Sequence, residues 1–524
     1  MTSICVLADL LDRQRIEPGA PALSDGTDAL SYGEFADAVA TVADLLVQLQ
    51  VQPGDRVGVH QLKSVWSFVA VHAVLRAGAV MVPIDPLAPV EHAVAVIADA
   101  RIEVLLTDTR QSTFDALVGA DAGLRAAVVR RDLTADDVAI MPWPSLAASA
   151  PSTDPVLRQP DDDAYIIYTS GSTGQPKGIV HTHRSALAYA RIAAAEYGLR
   201  ADDRLVNIAS LHFDQSTFEL YAAPLVGAAV TVAPDAVMRF PASLSELVAN
   251  ERATVWYSVP YVLRQLVTRG ALDDRDLTSL RWILYGGESY PVDELADLMA
   301  ALPDATVSNV YGPAEVNQCT RFDIAEMPAA GGVVPIGAAW PETEVVVVDE
   351  SGESAEQGPG ELWVATSTMM DRYWNRPDLT AAAVVDRSFD DARATRWYRT
   401  GDLVDTDPDG ALVFLGRADN QVKIRGQRVE LEAIDQTVRE LHEVHEVSMV
   451  VDVDEAGERG LVAVVELEPG SELTLRHVQR AVAASHQRVA VPVAVVIVAS
   501  LQRTGTGKVD RNAALRESRA AREG

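Results

Sequence analysis

The stretch TSGSTGQPKG, residues 169–178, sets hydroxyls, glycines and a lysine side by side. Glycines let backbone N–H groups approach a ligand closely, hydroxyls add donors, and a lysine adds a positive point charge, so the composition suits a polyphosphate. Thr169, Ser170, Gly171, Ser172, Thr173, Gly174 and Lys177 are the candidate phosphate-binding residues. It is not a Walker A loop, because that motif needs a Gly-Lys-Ser/Thr triplet, and here Pro176 precedes Lys177 and Gly178 follows it. A flexible Gly/Ser linker has similar composition, but the flanks argue against one. Residues 164–168, AYIIY, read as a buried strand running into the loop, and an amphipathic helical pattern follows from His183 to Tyr197. A loop at the end of a strand is where α/β proteins bind ligands.

Working outward, strand-like runs alternate with helical ones. Residues 64–77 are helical by apolar spacing and 79–84 are strand-like. Residues 254–257, 282–285 and 306–310 repeat the strand character before loops or helices, so the fold class is α/β. A turn-rich stretch at Pro408-Asp-Gly410 precedes 412–415, and a basic segment begins after Gly416, which marks a domain boundary. The chain has 524 residues, 48% of them hydrophobic, enough for more than one domain and a large core. A formal net charge of −31 argues against a nucleic-acid surface, which needs Lys and Arg in excess. Two cysteines, Cys5 and Cys319, are too few for a disulfide scaffold and fit a reducing cytoplasm. The amino terminus lacks the pattern of a signal peptide, and the longest apolar run, 489–499, is about half of what a bilayer needs, so no membrane association is expected.

Eight segments now stand in order: LSYGEF (30–35), LRAGAVMVPID (75–85), the 169–178 loop, HFDQS (212–216), NVYGPAE (309–315), YRTGDL (398–403), GRADNQVKIRGQRVEL (416–431) and GTGKVDR (505–511). Together they resemble the adenylate-forming superfamily and, within it, free-standing amino-acid adenylation domains of nonribosomal peptide synthesis. The resemblance spans nearly the whole chain. It implies a large amino-terminal domain of α/β subdomains, residues 1–417, and a small mobile α+β domain, 418–524, joined by a hinge. It also implies ATP and magnesium as cofactors, an acyl-AMP intermediate, and transfer of the acyl group to a thiol in secondary-metabolite biosynthesis, as for an antibiotic.

The chemistry accounts for the residue types. A carboxylate attacking the α-phosphorus brings two anions together, so fixed positive charge is needed, and Lys508 in a Gly-rich stretch is the candidate. By resemblance, Glu315 holds magnesium and is catalytic, Tyr311 stacks on adenine, Asp402 takes both ribose hydroxyls, and Arg417 holds the ribose or phosphate side. Gly286 and Gly287 line the adenine and substrate pockets. Asp419 matches the hinge, and Lys423 and Gly426 match the segment swung in for the thiol step. Gly286-Gly-Glu-Ser289 looks like a phosphopantetheine attachment site but follows a strand inside the large domain. With sixteen residues after Lys508, a fused carrier module is not expected, and the acceptor is expected to be a separate acyl or peptidyl carrier protein.

Asp214 discriminates among acids. An ammonium in an apolar pocket needs a buried anion, and HFDQS places Asp214 where the family binds the amino group, so an amino acid is favoured. The family's pocket positions fall on Asp214, Gln215, Phe218, Tyr257, Leu284, Gly286, Val310, Gln318, Cys319 and Lys508. The Asp, Tyr, Leu and Cys placements are similar to prolyl-loading ligases, whereas Gln215 and Gln318 put amides where those pockets are apolar. Such amides meet a polar substrate group, each other, or water. A β-amino-acid-loading ligase and an acyl-CoA ligase are the alternatives. Two departures from the family pattern, at 370–373 and 430–433, are expected to leave the adenylation residues untouched.

Overall fold

The computed structural model describes residues 4–14, 17–120, 123–144, 154–170, 176–326, 332–355, 358–389, 394–417, 421–453, 459–503 and 509–523. Gly171, Ser172, Thr173, Gly174, Asp419 and Lys508 lie outside the described residues. Contacts divide the chain into one unit of residues 1–86, 96–168 and 178–418, and a second of 87–95, 169–177 and 419–524.

Two large sheets organise the first unit. One has the strand order Ala338–Ala339, Thr320–Asp323, Thr306–Tyr311, Trp282–Gly286, Val255–Ser258, Arg204–Asn207, Ala229–Val232, Pro21–Ser24, Ala29–Ser31 among the described residues. Its central pairings are parallel. Val255–Ser258 is buried throughout, and Trp282–Gly286 in all but its first residue. Parallel strands covered on both faces read this way, as near-continuous apolar runs without alternation, which is why the pattern was visible in the sequence. The second sheet runs Arg372–Tyr373, Pro176–Thr182, Asp163–Ser170, Val80–Pro83, Arg56–His60, Val104–Thr107, Ala126–Val129, Ala139–Pro142. Asp163–Ser170 leads into the 169–178 stretch and Pro176–Thr182 leads out of it. Thr182 then caps helix His183–Glu196, its hydroxyl accepting from the Ser185 N–H. A third, antiparallel sheet contains Thr343–Val348, Gly360–Thr366, Val384–Arg387, Thr395–Thr406 and Leu412–Arg417.

The second unit has its own core. Strands Val444–Val453, Arg459–Leu467 and Ala494–Val498 form a sheet whose Met449, Leu461, Ala463 and Val465 pack with Val478 and Val482 of helix Leu475–Ser485. Its hairpin, Gln421–Ile424 with Gln427–Glu430, turns through Arg425 and Gly426 at φ 50° and 76°. Two consecutive left-handed residues fit a tight hairpin turn that follows the strand twist, and this gives Gly426 a backbone reason to be glycine. Lys423 lies on the first of these strands, opposite Arg428 in register.

Candidate active site

The parallel strands carry pocket residues at their carboxyl ends. Register sets Tyr257 beside Leu284, and Gly286 beside Val310, with Tyr311 next in the same strand. A Cβ on Gly286 would lie 2.4 Å from the Val310 carbonyl oxygen, so the strands close up at this point only because the residue is glycine. Gly287 follows at φ 93°, the left-handed region that favours glycine. The neighbouring strand, Arg204–Asn207, feeds the loop that presents Asp214 and Gln215 on a short turn, Asp214–Ser216. Phe218–Ala222 continues as a π-helical turn, a form concentrated at functional sites.

These elements converge. Phe218 meets Tyr257 and Tyr197 edge-on, at 5.9 Å between ring centroids in each case. Tyr197 also meets Trp340 edge-on. Burial first, and then the Asp214 charge, push the Tyr257 hydroxyl pKa up. Tyr165 is also raised by burial, the amide of Asn317 opposing that and Asp214 adding to it. Asp214, half-buried, therefore lies near both tyrosine hydroxyls. Leu284, Val310, Phe218 and Cys319 are buried. Gln318 reaches the same wall, its Oε1 accepting from the Tyr197 hydroxyl at 3.3 Å. Asn317, at φ 57°, holds the loop by accepting from the Thr217 hydroxyl at 3.2 Å.

A second cluster surrounds Tyr311. Its hydroxyl donates to Asp402 Oδ2, while Arg417 Nη1 donates to Oδ1. The antiparallel register of Thr395–Thr406 with Leu412–Arg417 sets Asp402 directly opposite Arg417. Each carboxylate oxygen keeps a further lone pair, and two such acceptors on a fixed carboxylate suit two ribose hydroxyls. Phe414 lies tilted 6.5 Å from the Tyr311 ring.

Glu315 is fully buried and accepts from the Tyr373 hydroxyl at 2.8 Å. This corrects the expectation that the 370–373 departure leaves the adenylation residues untouched. Met370 N–H donates to the Glu315 carbonyl, and pairing of Arg372–Tyr373 with Ile179 and Val180 swings the Tyr373 ring onto the carboxylate. His181 supports the same point, donating from Nε2 to the Ala314 carbonyl at 3.0 Å. Burial lowers the His181 pKa to about 4, so the ring stays neutral. Among the described residues no group of three or more His, Cys, Asp or Glu stands ready to cage a metal. One buried carboxylate nevertheless fits magnesium, which usually combines one or two protein carboxylates with substrate phosphates.

Around the 169–178 stretch, Thr169 and Ser170 end one strand and Lys177 lies in the next. Thr169 Oγ1 is buried without a hydrogen bond. In the second unit, the ends of the segment containing Lys508 are joined by a bridge between Arg503 and Val509.

Sequence reading missed a buried lysine and a buried acid behind the Asp214 loop. Lys63 Nζ donates to the Ile208 carbonyl at 2.5 Å, and burial lowers its pKa to about 8 against the pull of Asp235 and Glu219. Glu219 accepts from Asn207 Nδ2 at 3.1 Å, and burial raises its carboxyl to about 8. Where Glu219 is ionised, Lys63→Met should destabilise the large unit by about 3 kcal/mol, because it removes the positive charge that favours the buried carboxylate. A carboxyl raised in the folded state binds its proton at low pH and loses it as pH climbs through the folded value. The loss should therefore be smaller near about pH 5 than near about pH 9. Denaturant melts of Lys63→Met and of Lys63→Met/Glu219→Gln test this; if the double variant recovers nothing, the two residues are not coupled.

The match to known proteins agrees with this geometry. Residues 11–374 match a family profile described as AMP-binding enzyme. An L-proline--[L-prolyl-carrier protein] ligase of Pseudomonas fluorescens is 33% identical over 95% of this chain and 96% of its own. A Streptomyces coelicolor protein of the same description is 36% identical over 82% and 80%. The crystal structure of the Vibrio cholerae adenylation domain AlmE in complex with glycyl-adenosine-5'-phosphate superposes with a TM-score of 0.82, at 26% identity and 99% coverage of both chains.

Proposed function

Since the chain belongs to the AMP-binding enzyme family, within the adenylate-forming superfamily, we propose that it activates an amino acid with ATP and loads the aminoacyl group onto a carrier protein. A substrate carboxylate oxygen attacks the α-phosphorus, pyrophosphate leaves, and aminoacyl-AMP forms. The phosphopantetheine thiol of the carrier then attacks the acyl carbon, AMP leaves with the bonding pair, the thiol proton passes to solvent, and a thioester remains. The observation that carries the reading is Asp214, an anion facing the wall of Tyr257, Tyr165 and Phe218.

The 169–178 stretch cradles the phosphates, Asp402 and Arg417 fix the ribose, and Tyr311 borders the adenine. Gly286, which lets its strand close on Val310, and Gly287, with its left-handed backbone, would line the adenine and substrate pockets. Glu315, steadied by Tyr373, would hold magnesium, which when bound offsets phosphate charge. Lys508 supplies charge for the first half-reaction, and Asp419, Lys423 and Gly426 serve the change to the second. Among the described residues no helix is long and apolar enough to cross a membrane, and work in the cytoplasm fits that.

The test is exchange of labelled pyrophosphate into ATP across α-amino acids, β-amino acids and their des-amino analogues. Exchange that depends on an α-amino acid is the expected result. A β-amino acid preference would move the chain to the starter-unit ligases. Exchange driven by plain acids, with acyl-CoA accumulating when coenzyme A is present, would replace the reading with an acyl-CoA ligase.

A further inference from the structure

The chain reaches Asp214 from the strand Arg204–Asn207 through residues 208–213, and the first of these is held from the other large sheet. Lys63, just past the strand Arg56–His60, donates from Nζ to the Ile208 carbonyl at 2.5 Å. It is 5% exposed. The backbone around it is fixed as well: the N–H groups of Leu62, Lys63 and Val65 donate to the carboxylates of Asp108, Asp235 and Asp25, at 3.3, 3.4 and 3.1 Å. Lys63 is therefore a placed donor.

Beyond Ile208 the segment is tied to itself. Phe213 N–H donates to the Ser210 carbonyl at 3.0 Å, Ser216 Oγ to the Phe213 carbonyl at 2.7 Å, and Thr217 Oγ1 to the Asp214 carbonyl at 2.5 Å. A shift of the Ile208 peptide is thus passed on to Asp214. The second sheet approaches the segment again at His212, whose Nε2 lies 3.7 Å from Asp85 Oδ2. Taking an ammonium out of water is costly, and a hydrocarbon of the same volume often serves stability as well. What a charged donor adds is direction, because its hydrogen bond is stronger than a neutral one and holds the acceptor in one place.

We propose that Lys63 is a positioning residue for Asp214: through the Ile208 carbonyl it sets where the carboxylate stands to meet the substrate ammonium. The proposal rests on the amino-acid reading above. It assigns part of the recognition of the amino group to a side chain from the sheet that does not carry Asp214.

Pyrophosphate exchange by the full chain, near neutral pH, should be measured with the preferred amino acid and its des-amino analogue. In Lys63→Met the KM for the amino acid should rise, and the ratio of kcat/KM, amino acid over des-amino analogue, should fall by about 10- to 10²-fold, the scale of a small misplacement at a reacting centre. The KM for ATP and exchange with the des-amino analogue should hold. Lys63→Arg, which keeps the charge and moves the donor, should lower the ratio too. Lys63→Met/Glu219→Gln should recover stability without recovering the ratio, a combination that a merely structural lysine does not give. In an Asp214→Asn background Lys63→Met should change the ratio no further, because the two residues act through one contact. An unchanged ratio in the Lys63 variants, or equal loss with both substrates, overturns the proposal and leaves amino-acid activation intact. A wild type that exchanges as well with the des-amino analogue overturns the underlying reading and the proposal with it.

Discussion

In Asp214→Asn the ratio of exchange efficiencies, amino acid over its des-amino analogue, collapses. The substitution keeps the shape and removes the charge. On the proposed reading, the substrate ammonium and the Asp214 carboxylate compensate each other's desolvation beside Phe218, Tyr165 and Tyr257. Removing one member of such a pair typically costs about 3–5 kcal/mol, a few hundred-fold to a few thousand-fold in binding. The des-amino analogue brings no ammonium and escapes the penalty. Measuring both substrates on one preparation separates a specificity change from general damage. If both lose activity by the same factor, Asp214 is a structural residue and amino-acid activation loses its main physical support.

Lys508→Ala should reduce adenylation on the order of 10²–10³-fold, by analogy with the loss of one preorganised transition-state donor. Thiol transfer from supplied aminoacyl-AMP should change little, because the lysine is assigned to the first half-reaction alone. Single-turnover assays of each half-reaction, with carrier loading followed by mass, separate the two. Equal damage to both would show that the lysine does not divide its work between steps in this way.

Residues close in sequence, or tied to one backbone requirement, were legible before any coordinates. The strand into the 169–178 stretch was readable because it is continuously buried, and helix His183–Glu196 because its apolar positions recur with the helical period. Asp214, Tyr311, Glu315, Asp402 and Arg417 sit in short segments whose order carried the resemblance. What escaped were contacts made by distant segments. Lys63 and Glu219 feel each other's charge only because strands of two different sheets deliver their segments to one buried region. Tyr373 reaches Glu315 through a two-residue strand too short to leave a periodic signal. The π-helical turn at Phe218–Ala222 breaks helical spacing in the middle of the site, so no period fits it. For Gln318 the sequence showed the amide but not its partners, the hydroxyls of Tyr197 and Tyr257, which distant segments supply.

The bridge between Arg503 and Val509 joins the described residues on either side of the segment that contains Lys508. Just beyond it, Asp510 N–H donates to the Gln502 carbonyl at 2.8 Å. Arg511 is pinned in turn: Nη2 donates to the buried Asp435 carboxylate at 2.5 Å, and Nη1 to the Met449 carbonyl at 2.7 Å. The ends of the 504–508 segment are thus stitched to the sheet of the second unit, and they go where that sheet goes. We propose that any movement of Lys508 is movement of the second unit as a folded body, since the described residues on either side of it are held to that unit's sheet.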